Sequence, residues 1–102
     1  MPYHVIFTPE ANAHLVGIYR HIATKASPTI AEHFTTAIID YCEGFTTFPH
    51  RGTKRDDLRS GLRTIGFRRC VTVAFTVELD RVTIIGVFYG GQNYEETLQI
   101  DD

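Results

Sequence analysis

The sequence predicts an α+β domain in which two helices pack on one side of a mainly antiparallel, twisted sheet. Two segments in the first half carry apolar residues at steps of three and four, which is the period of an amphipathic helix. From Leu62 onward, apolar residues recur at every second position, which is the period of a strand. Because a short alternating segment precedes the helices, the predicted element order is β-α-α-β-β-β.

The chain has 102 residues, so we expect a single domain over residues 1–102. Its 43% hydrophobic and 22% charged residues are close to globular averages and argue against disorder. No apolar run approaches the roughly 20 residues of a membrane helix, and the first residues lack a secretory signal pattern. Cys42 and Cys70 lie in apolar runs outside any CxxC pattern. We therefore expect a cytoplasmic protein with two buried, reduced cysteines and no membrane contact.

The first elements are a strand and a capped helix. In YHVIF, residues 3–7, alternation places Tyr3, Val5 and Phe7 on one face. Thr8 is suited to cap the helix that follows, and Pro9 suits its first position. The predicted apolar stripe of this helix consists of Ala11, Leu15, Ile18 and Ile22.

The second helix begins in the same way, with Ser27 as the predicted N-cap and Pro28 as the first helical residue. Its predicted apolar stripe consists of Ile30, Phe34, Ile38, Tyr41 and Phe45. Because only about five residues separate the two periodic segments, the helices should form an antiparallel hairpin.

Three strands are predicted after a polar loop, HRGTKRDD, at residues 50–57. LRTIGF (62–67) places Arg63 on the face opposite Leu62. RCVTVAFTVE (69–78) places Val71, Val73, Phe75 and Val77 on one face. A turn at Leu79-Asp80 leads into RVTIIGVFY (81–89) and completes a three-strand meander. Residues 92–102 are predicted as a helical turn or a loose tail.

Charge is strongly segregated along the chain, although the net charge is only −2. Residues 51–69 hold seven basic residues against two acidic ones, a net of +5, whereas residues 70–102 hold one against six, a net of −5. The basic segment could bind phosphate or an acidic protein, or it could be a solvated loop and strand face, which charge alone favours. The low overall charge argues against tight, non-specific nucleic-acid binding.

Common catalytic and metal motifs are absent from the sequence. His14 and His21 lie one heptad apart, too far to share an ion, and there is no HExxH pattern. We expect no metal and no cofactor, and we expect Glu10 and His14 to form a surface pair on the helix. Neither serine lies in a GxSxG turn. Gly90-Gly91 is predicted as a turn rather than a phosphate-binding loop.

Arginine and tyrosine side chains are the remaining candidates for a functional site. Arg68 and Arg69 precede the central strand and Tyr89 ends its antiparallel partner, so these strand ends should be neighbours. Such residues could bind phosphate or contact a protein, because arginine and tyrosine dominate interfaces. An ordinary sheet edge covered by arginine stems is the alternative. The candidate binding set is Arg55, Arg59, Arg63, Arg68, Arg69, Tyr89 and Tyr94.

Several short motifs occur in a characteristic order. They are TPEA after the first strand, FPHRG after the second helix, GLRTIGFRR before the alternating strand, and IIGVFYGGQNYEE at the end. Together they resemble the ParE/RelE superfamily of bacterial type II toxins and imply its fold. In that family the last strand commonly ends in V-x-H-G-x-R. Tyr89 stands where histidine is frequent, so the resemblance favours a presented role for Tyr89 over a core role.

The resemblance implies two possible activities. RelE-like members cleave messenger RNA on the ribosome, and here Arg63, Arg68 and Tyr89 would supply charge stabilisation and proton transfer. ParE-like members trap DNA gyrase without catalysis. Long helices without added basic residues and an acidic pI favour gyrase inhibition, with RNA cleavage as the alternative. A non-toxic relic that only binds an antitoxin is a third possibility.

The partner implied by the resemblance is a ParD-like antitoxin. Its flexible C-terminal part would fold along the toxin and form a hetero-oligomer. We expect this segment to use an apolar groove and the basic stretch of residues 51–69. No specific DNA binding by the toxin alone is expected.

Overall fold

A computed structural model describes residues 3–90, so the predictions for Tyr94 and for residues 92–102 lie outside the described part. The elements are β1 (His4–Phe7), α1 (Pro9–Lys25), α2 (Pro28–Glu43), a 3-10 turn (Gly44–Thr46), β2 (Thr53–Lys54), β3 (Leu62–Phe67), β4 (Val71–Val77) and β5 (Arg81–Tyr89). The strands form one sheet in the order β1-β5-β4-β3-β2, with β1 parallel to β5 and the other pairs antiparallel. The predicted α+β class is confirmed.

Both helices begin at the predicted caps. The Thr8 hydroxyl oxygen accepts a hydrogen bond from the Ala11 N–H, and the Ser27 hydroxyl oxygen accepts one from the Ile30 N–H, each at 3.1 Å. A proline follows each cap as the first helical residue. Because each cap satisfies an N–H group that has no partner within its helix, such a residue stabilises the helix by about 1 kcal/mol.

The two helices differ in how well their buried stripes were predicted. All four predicted residues of α1 are buried. In α2, Ile38 is fully buried, but Ile30 has 54% of its surface exposed, so its assignment to the stripe is wrong. Ala31 is fully buried instead. At this end of α2 the buried stripe is turned by one residue, about 100°, which places the small alanine toward the core.

A bulge in β5 decides which side chains face the helices. Phe75 pairs with Ile84 while Ala74 pairs with Gly86, so Ile85 is an extra residue in β5. Before the bulge, even-numbered residues such as Ile84 join the main core, whereas after it Val87 does so. Phe88 is sent to the opposite face, where it joins a small cluster with Leu62 and Ala74.

The short strand β2 lies inside the segment that was predicted to be only a loop. Thr53 pairs with Thr64, and Lys54 pairs with Arg63. The prediction missed β2 because a two-residue, exposed edge strand has no apolar period. Gly52, with φ of 79°, leads into this strand at a position where a Cβ atom would collide with the Thr64 carbonyl.

Candidate functional site

The β3–β4 turn and the end of β5 meet at one end of the sheet, as the sequence predicted. Val71 pairs with Tyr89, and the Gly90 N–H donates to the Cys70 carbonyl at 2.7 Å. Arg68 and Arg69, just before Cys70, therefore lie at the same sheet end as Tyr89. The structure thus brings together Arg68, Arg69 and Tyr89.

Arg63 does not belong to this group. It lies near the other end of β3, where it pairs with Phe75 on one side and with Lys54 on the other. Arg68 lies five positions further along the chain, which is roughly 16 Å at about 3.3 Å per residue. The three residues considered for catalysis, Arg63, Arg68 and Tyr89, therefore do not converge on one point.

The β3–β4 turn has an unusual backbone. Arg68 and Arg69 have φ values of 53° and 65°, in the left-handed region that glycine adopts most readily. Both residues are exposed. The guanidinium carbon of Arg68 lies 5.0 Å from the centre of the Phe67 ring, within the range of a cation–π contact.

Tyr89 is half-buried and packs against the main core. Its ring lies 5.5 Å from the His21 ring and meets the Phe34 ring edge-on at 5.8 Å. The tyrosine thus joins β5 to both helices while part of it stays accessible. This differs from the expected presented residue, because the bulge in β5 turns Tyr89 toward the helices.

His14 covers the part of β5 that β1 does not reach. β1 pairs with β5 only as far as Ile84, and further along β5 the Val87 N–H donates to Nδ1 of His14 at 3.1 Å. The imidazole also lies 4.9 Å from the Phe88 ring. Burial lowers the pKa of His14, although the nearby Glu10 carboxylate opposes this effect. His14 therefore interacts with the Glu10 carboxylate, as the sequence suggested, but it is also a half-buried group that caps the edge of β5.

A cavity of about 550 Å³ lies between α1 and the end of β5. Its lining residues are Ala13, His14, Gly17, Ile18, His21, Val87, Tyr89 and Gly90. Sequence reasoning missed this cavity, because it forms only when α1 packs beside the end of β5. The glycine in the middle of α1 is the one sequence signal that points to space on that helix face.

The basic loop before β3 neutralises part of its own charge. Nε and Nη2 of Arg55 each donate to a carboxylate oxygen of Asp57 at 3.0 Å. This hydrogen-bonded arginine lowers the pKa of Asp57. Arg59 is half-buried, and its backbone N–H donates to the Arg55 carbonyl. Arg63 donates from Nη1 to the Arg51 carbonyl at 3.3 Å.

A smaller cavity of about 200 Å³ lies beside this loop, where Lys54 and Arg63 are direct partners across β2 and β3. His50 and Asp56 also line it. Like charges placed directly opposite in a sheet are destabilising, and the Asp56 carboxylate in the same cavity offsets part of this repulsion.

Neither a metal site nor a disulfide is found among residues 3–90. No group of three or more His, Cys, Asp or Glu residues there could hold a metal ion. Cys42 and Cys70 are free thiols. Burial raises the pKa of Cys42 to about 12, whereas Cys70 is only half-buried, contrary to the expectation that both are buried. In this part of the chain, no helix has the length and apolar character needed to cross a bilayer.

Comparisons with known proteins match this chain to one family and to a solved structure. Residues 5–94 match the model of a family described as ParE toxin of type II toxin-antitoxin system, parDE. A solved structure described as a chromosomal ParDE TA system from P. aeruginosa is similar, with a TM-score of 0.75 and 21% identity over 86% of this chain and 96% of that chain. At this identity the likeness shows the fold. A comparison with curated proteins finds no match.

Proposed function

The chain belongs to the ParE toxin family of type II toxin–antitoxin systems, and we propose that it is a cytoplasmic toxin that inhibits DNA gyrase and is neutralised by a ParD-like antitoxin. The observation that carries this proposal is the family match, which extends over residues 5–94. Within the wider superfamily, gyrase inhibition needs a binding surface, whereas RNA cleavage needs a catalytic cluster.

The arrangement of the arginine and tyrosine side chains supports inhibition over catalysis. A general acid or base must lie within hydrogen-bond reach of the group that it serves. Arg68 lies in the turn after β3, five positions beyond Arg63, which is roughly 16 Å at about 3.3 Å per residue. The Tyr89 ring is packed between His21 and Phe34. These three candidates therefore make a poor catalytic group but leave an exposed, cationic sheet end for binding.

The helix hairpin supports the proposed antitoxin partner. Val16 and Tyr19 on α1 and Ile30 on α2 have 48%, 37% and 54% of their surfaces exposed. Large apolar side chains exposed on one hairpin are suited to an amphipathic segment that folds on binding. The basic residues of the β2–β3 region (residues 51–67) would attract the acidic side chains of such a segment. This attraction would favour formation of the toxin–antitoxin hetero-oligomer.

RNA cleavage is retained as a second candidate because of the smaller cavity. Lys54, Arg63 and His50 line it together, and Lys54 pairs directly with Arg63. Two cations and an imidazole could hold a phosphate and move a proton, but the Asp56 carboxylate in the same cavity would oppose phosphate binding. This candidate would use a different set of residues from the sheet-end group formed by Arg68 and Tyr89.

Expression of the chain without an antitoxin separates the candidates. We expect growth arrest with filamentation and DNA-damage signalling while protein synthesis initially continues, and rescue when a cognate antitoxin is co-expressed. Early arrest of protein synthesis with cleaved messenger RNA would support the second candidate instead. Normal growth of cells that contain folded protein would indicate a relic that only binds its antitoxin.

A further inference from the structure

We propose that the Arg68-Arg69 turn is a contact element for carboxylate groups on the surface of the toxin's protein target. The inference rests on the proposed function, because it assigns a target-contacting element to a gyrase inhibitor. Among residues 3–90, five have positive φ, and the three outside this turn are Gly52, Gly61 and Gly90.

The turn retains arginine where backbone geometry favours glycine or asparagine. A left-handed φ brings Cβ close to the following carbonyl oxygen, which disfavours both Arg68 and Arg69. Neither side chain is part of the buried core, because both residues are exposed. A tight hairpin turn requires left-handed φ but does not require arginine there, and non-glycine residues held in the left-handed region are found most often at functional sites. Two strained arginines side by side therefore indicate a role outside the fold.

The turn also holds its arginines in a prepared position. Phe67 and Val71 form the pair that closes the β3–β4 hairpin. The next strand anchors the turn from the side, since the Gly90 N–H donates to the Cys70 carbonyl at 2.7 Å. The Arg68 guanidinium rests on the Phe67 ring, 5.0 Å from its centre. A side chain that is already held in place loses less entropy when it binds.

The chemistry of the turn favours carboxylates on a protein over a nucleic-acid backbone. A guanidinium binds either carboxylate or phosphate through two parallel hydrogen bonds. Nucleic acid presents a long row of phosphates, and binding to it gains from many cations at once. The turn offers only two cations. The whole chain has a net charge of −2, and its residues 70–102 carry six acidic side chains. A compact acidic patch on a protein fits two arginines better.

Two double variants test this assignment with the full-length chain. R68G/R69G relieves the backbone strain, and R68N/R69N keeps a polar turn that tolerates left-handed φ without the charges. We expect the Tm of each variant to be no lower than that of the wild type. The concentration needed to inhibit gyrase supercoiling should rise by roughly tenfold or more, the loss expected for an interface arginine. R20Q/K25Q, on exposed positions of α1, removes the same charge and should leave inhibition unchanged.

The outcomes distinguish this inference from the function on which it rests. If the wild type does not inhibit gyrase, both fail. If the wild type inhibits and both turn variants inhibit equally well, or if R20Q/K25Q loses as much inhibition, only the role of the turn is overturned. A binding assay with a DNA fragment and no gyrase tests whether the turn binds the phosphates of nucleic acid instead. If the wild type binds that fragment and R68N/R69N does not, the turn contacts nucleic acid. This result would also overturn the inference.

Discussion

At the end of β5, individual side chains connect the sheet to the helix hairpin. Tyr89 contacts one ring from each helix, His21 from α1 and Phe34 from α2. His14 accepts the backbone N–H of Val87 at the edge of the same strand. The position of the accessible sheet end thus depends on two residues that also stabilise the fold, so stability and activity must be measured together.

Replacing Tyr89 by alanine should cost both stability and activity. Because the ring is half-buried and makes two aromatic contacts, we expect a loss of about 1 to 3 kcal/mol in the free energy of unfolding. Tyr89→Phe keeps the ring and should therefore lose less stability than Tyr89→Ala. Denaturant unfolding beside a toxicity assay measures both effects. If Tyr89→Ala is as stable as the wild type, the packing role of the ring is wrong.

His14 should make stability depend on pH. Only an unprotonated Nδ1 can accept the Val87 N–H, and burial lowers the folded-state pKa of His14 below its usual 6.5. At a pH between the folded-state and unfolded-state pKa of His14, the unfolded chain binds more protons than the folded chain. The stability that His14 contributes is therefore fully present above the usual pKa and is lost as the pH falls toward the lowered, folded-state pKa. Urea unfolding between about pH 7.5 and pH 5 measures this loss.

His14→Gln is the matched control, because its amide oxygen can accept the same N–H and does not titrate. We expect the variant to lose less stability than the wild type over the same pH range. Because the two proteins differ only at residue 14, the difference between the curves reports the contribution of His14. Two parallel curves would show that the His14 bond does not limit stability.

Among the elements, β5 shows where reasoning from the sequence succeeds and where it stops. The helix caps and the stripe of α1 were predictable, because capping and helical period are local properties. Ile84 and Val87 are successive core residues three positions apart, which breaks the period of two along β5. A bulge could therefore have been found from the sequence. The partial burial of Tyr89 could not, since it depends on that bulge and on the packing of both helices against β5.

The β2–β3 region is the element in which we predict antitoxin recognition. Reversing the charges of Arg55, Arg59 and Arg63 to glutamate should slow association with the antitoxin and weaken its dependence on salt. Arg63 should contribute more than Arg55, because Asp57 already pairs with Arg55 through two hydrogen bonds of 3.0 Å. Stopped-flow association at several salt concentrations measures both effects.

Arg69→Glu is the control for this series, since it reverses an exposed charge in the β3–β4 turn, beyond the end of β3 that is far from Arg63. It should change the association rate less than the reversal of any arginine in the series. If the triple variant associates at the wild-type rate in low salt, the basic segment is not the surface that attracts the antitoxin.

For the whole molecule, the fold places two cationic surfaces at different points of one sheet. The β2–β3 region carries Lys54 and Arg63, and the β3–β4 turn carries Arg68 and Arg69 at the sheet end beside Tyr89. The sequence analysis counted residues 51–69 as a single basic stretch, although the strand predicted at residues 62–67 already runs between Arg63 and Arg68. An antitoxin and a target could therefore each have a surface of their own.

The most direct test of gyrase inhibition is a supercoiling assay with purified gyrase, relaxed plasmid and the full-length protein. We predict that the wild type blocks supercoiling in a concentration-dependent way and that prior addition of its antitoxin restores it. The same preparation added to translating ribosomes should leave messenger RNA intact. Undisturbed supercoiling together with cleavage of messenger RNA on those ribosomes would contradict the account.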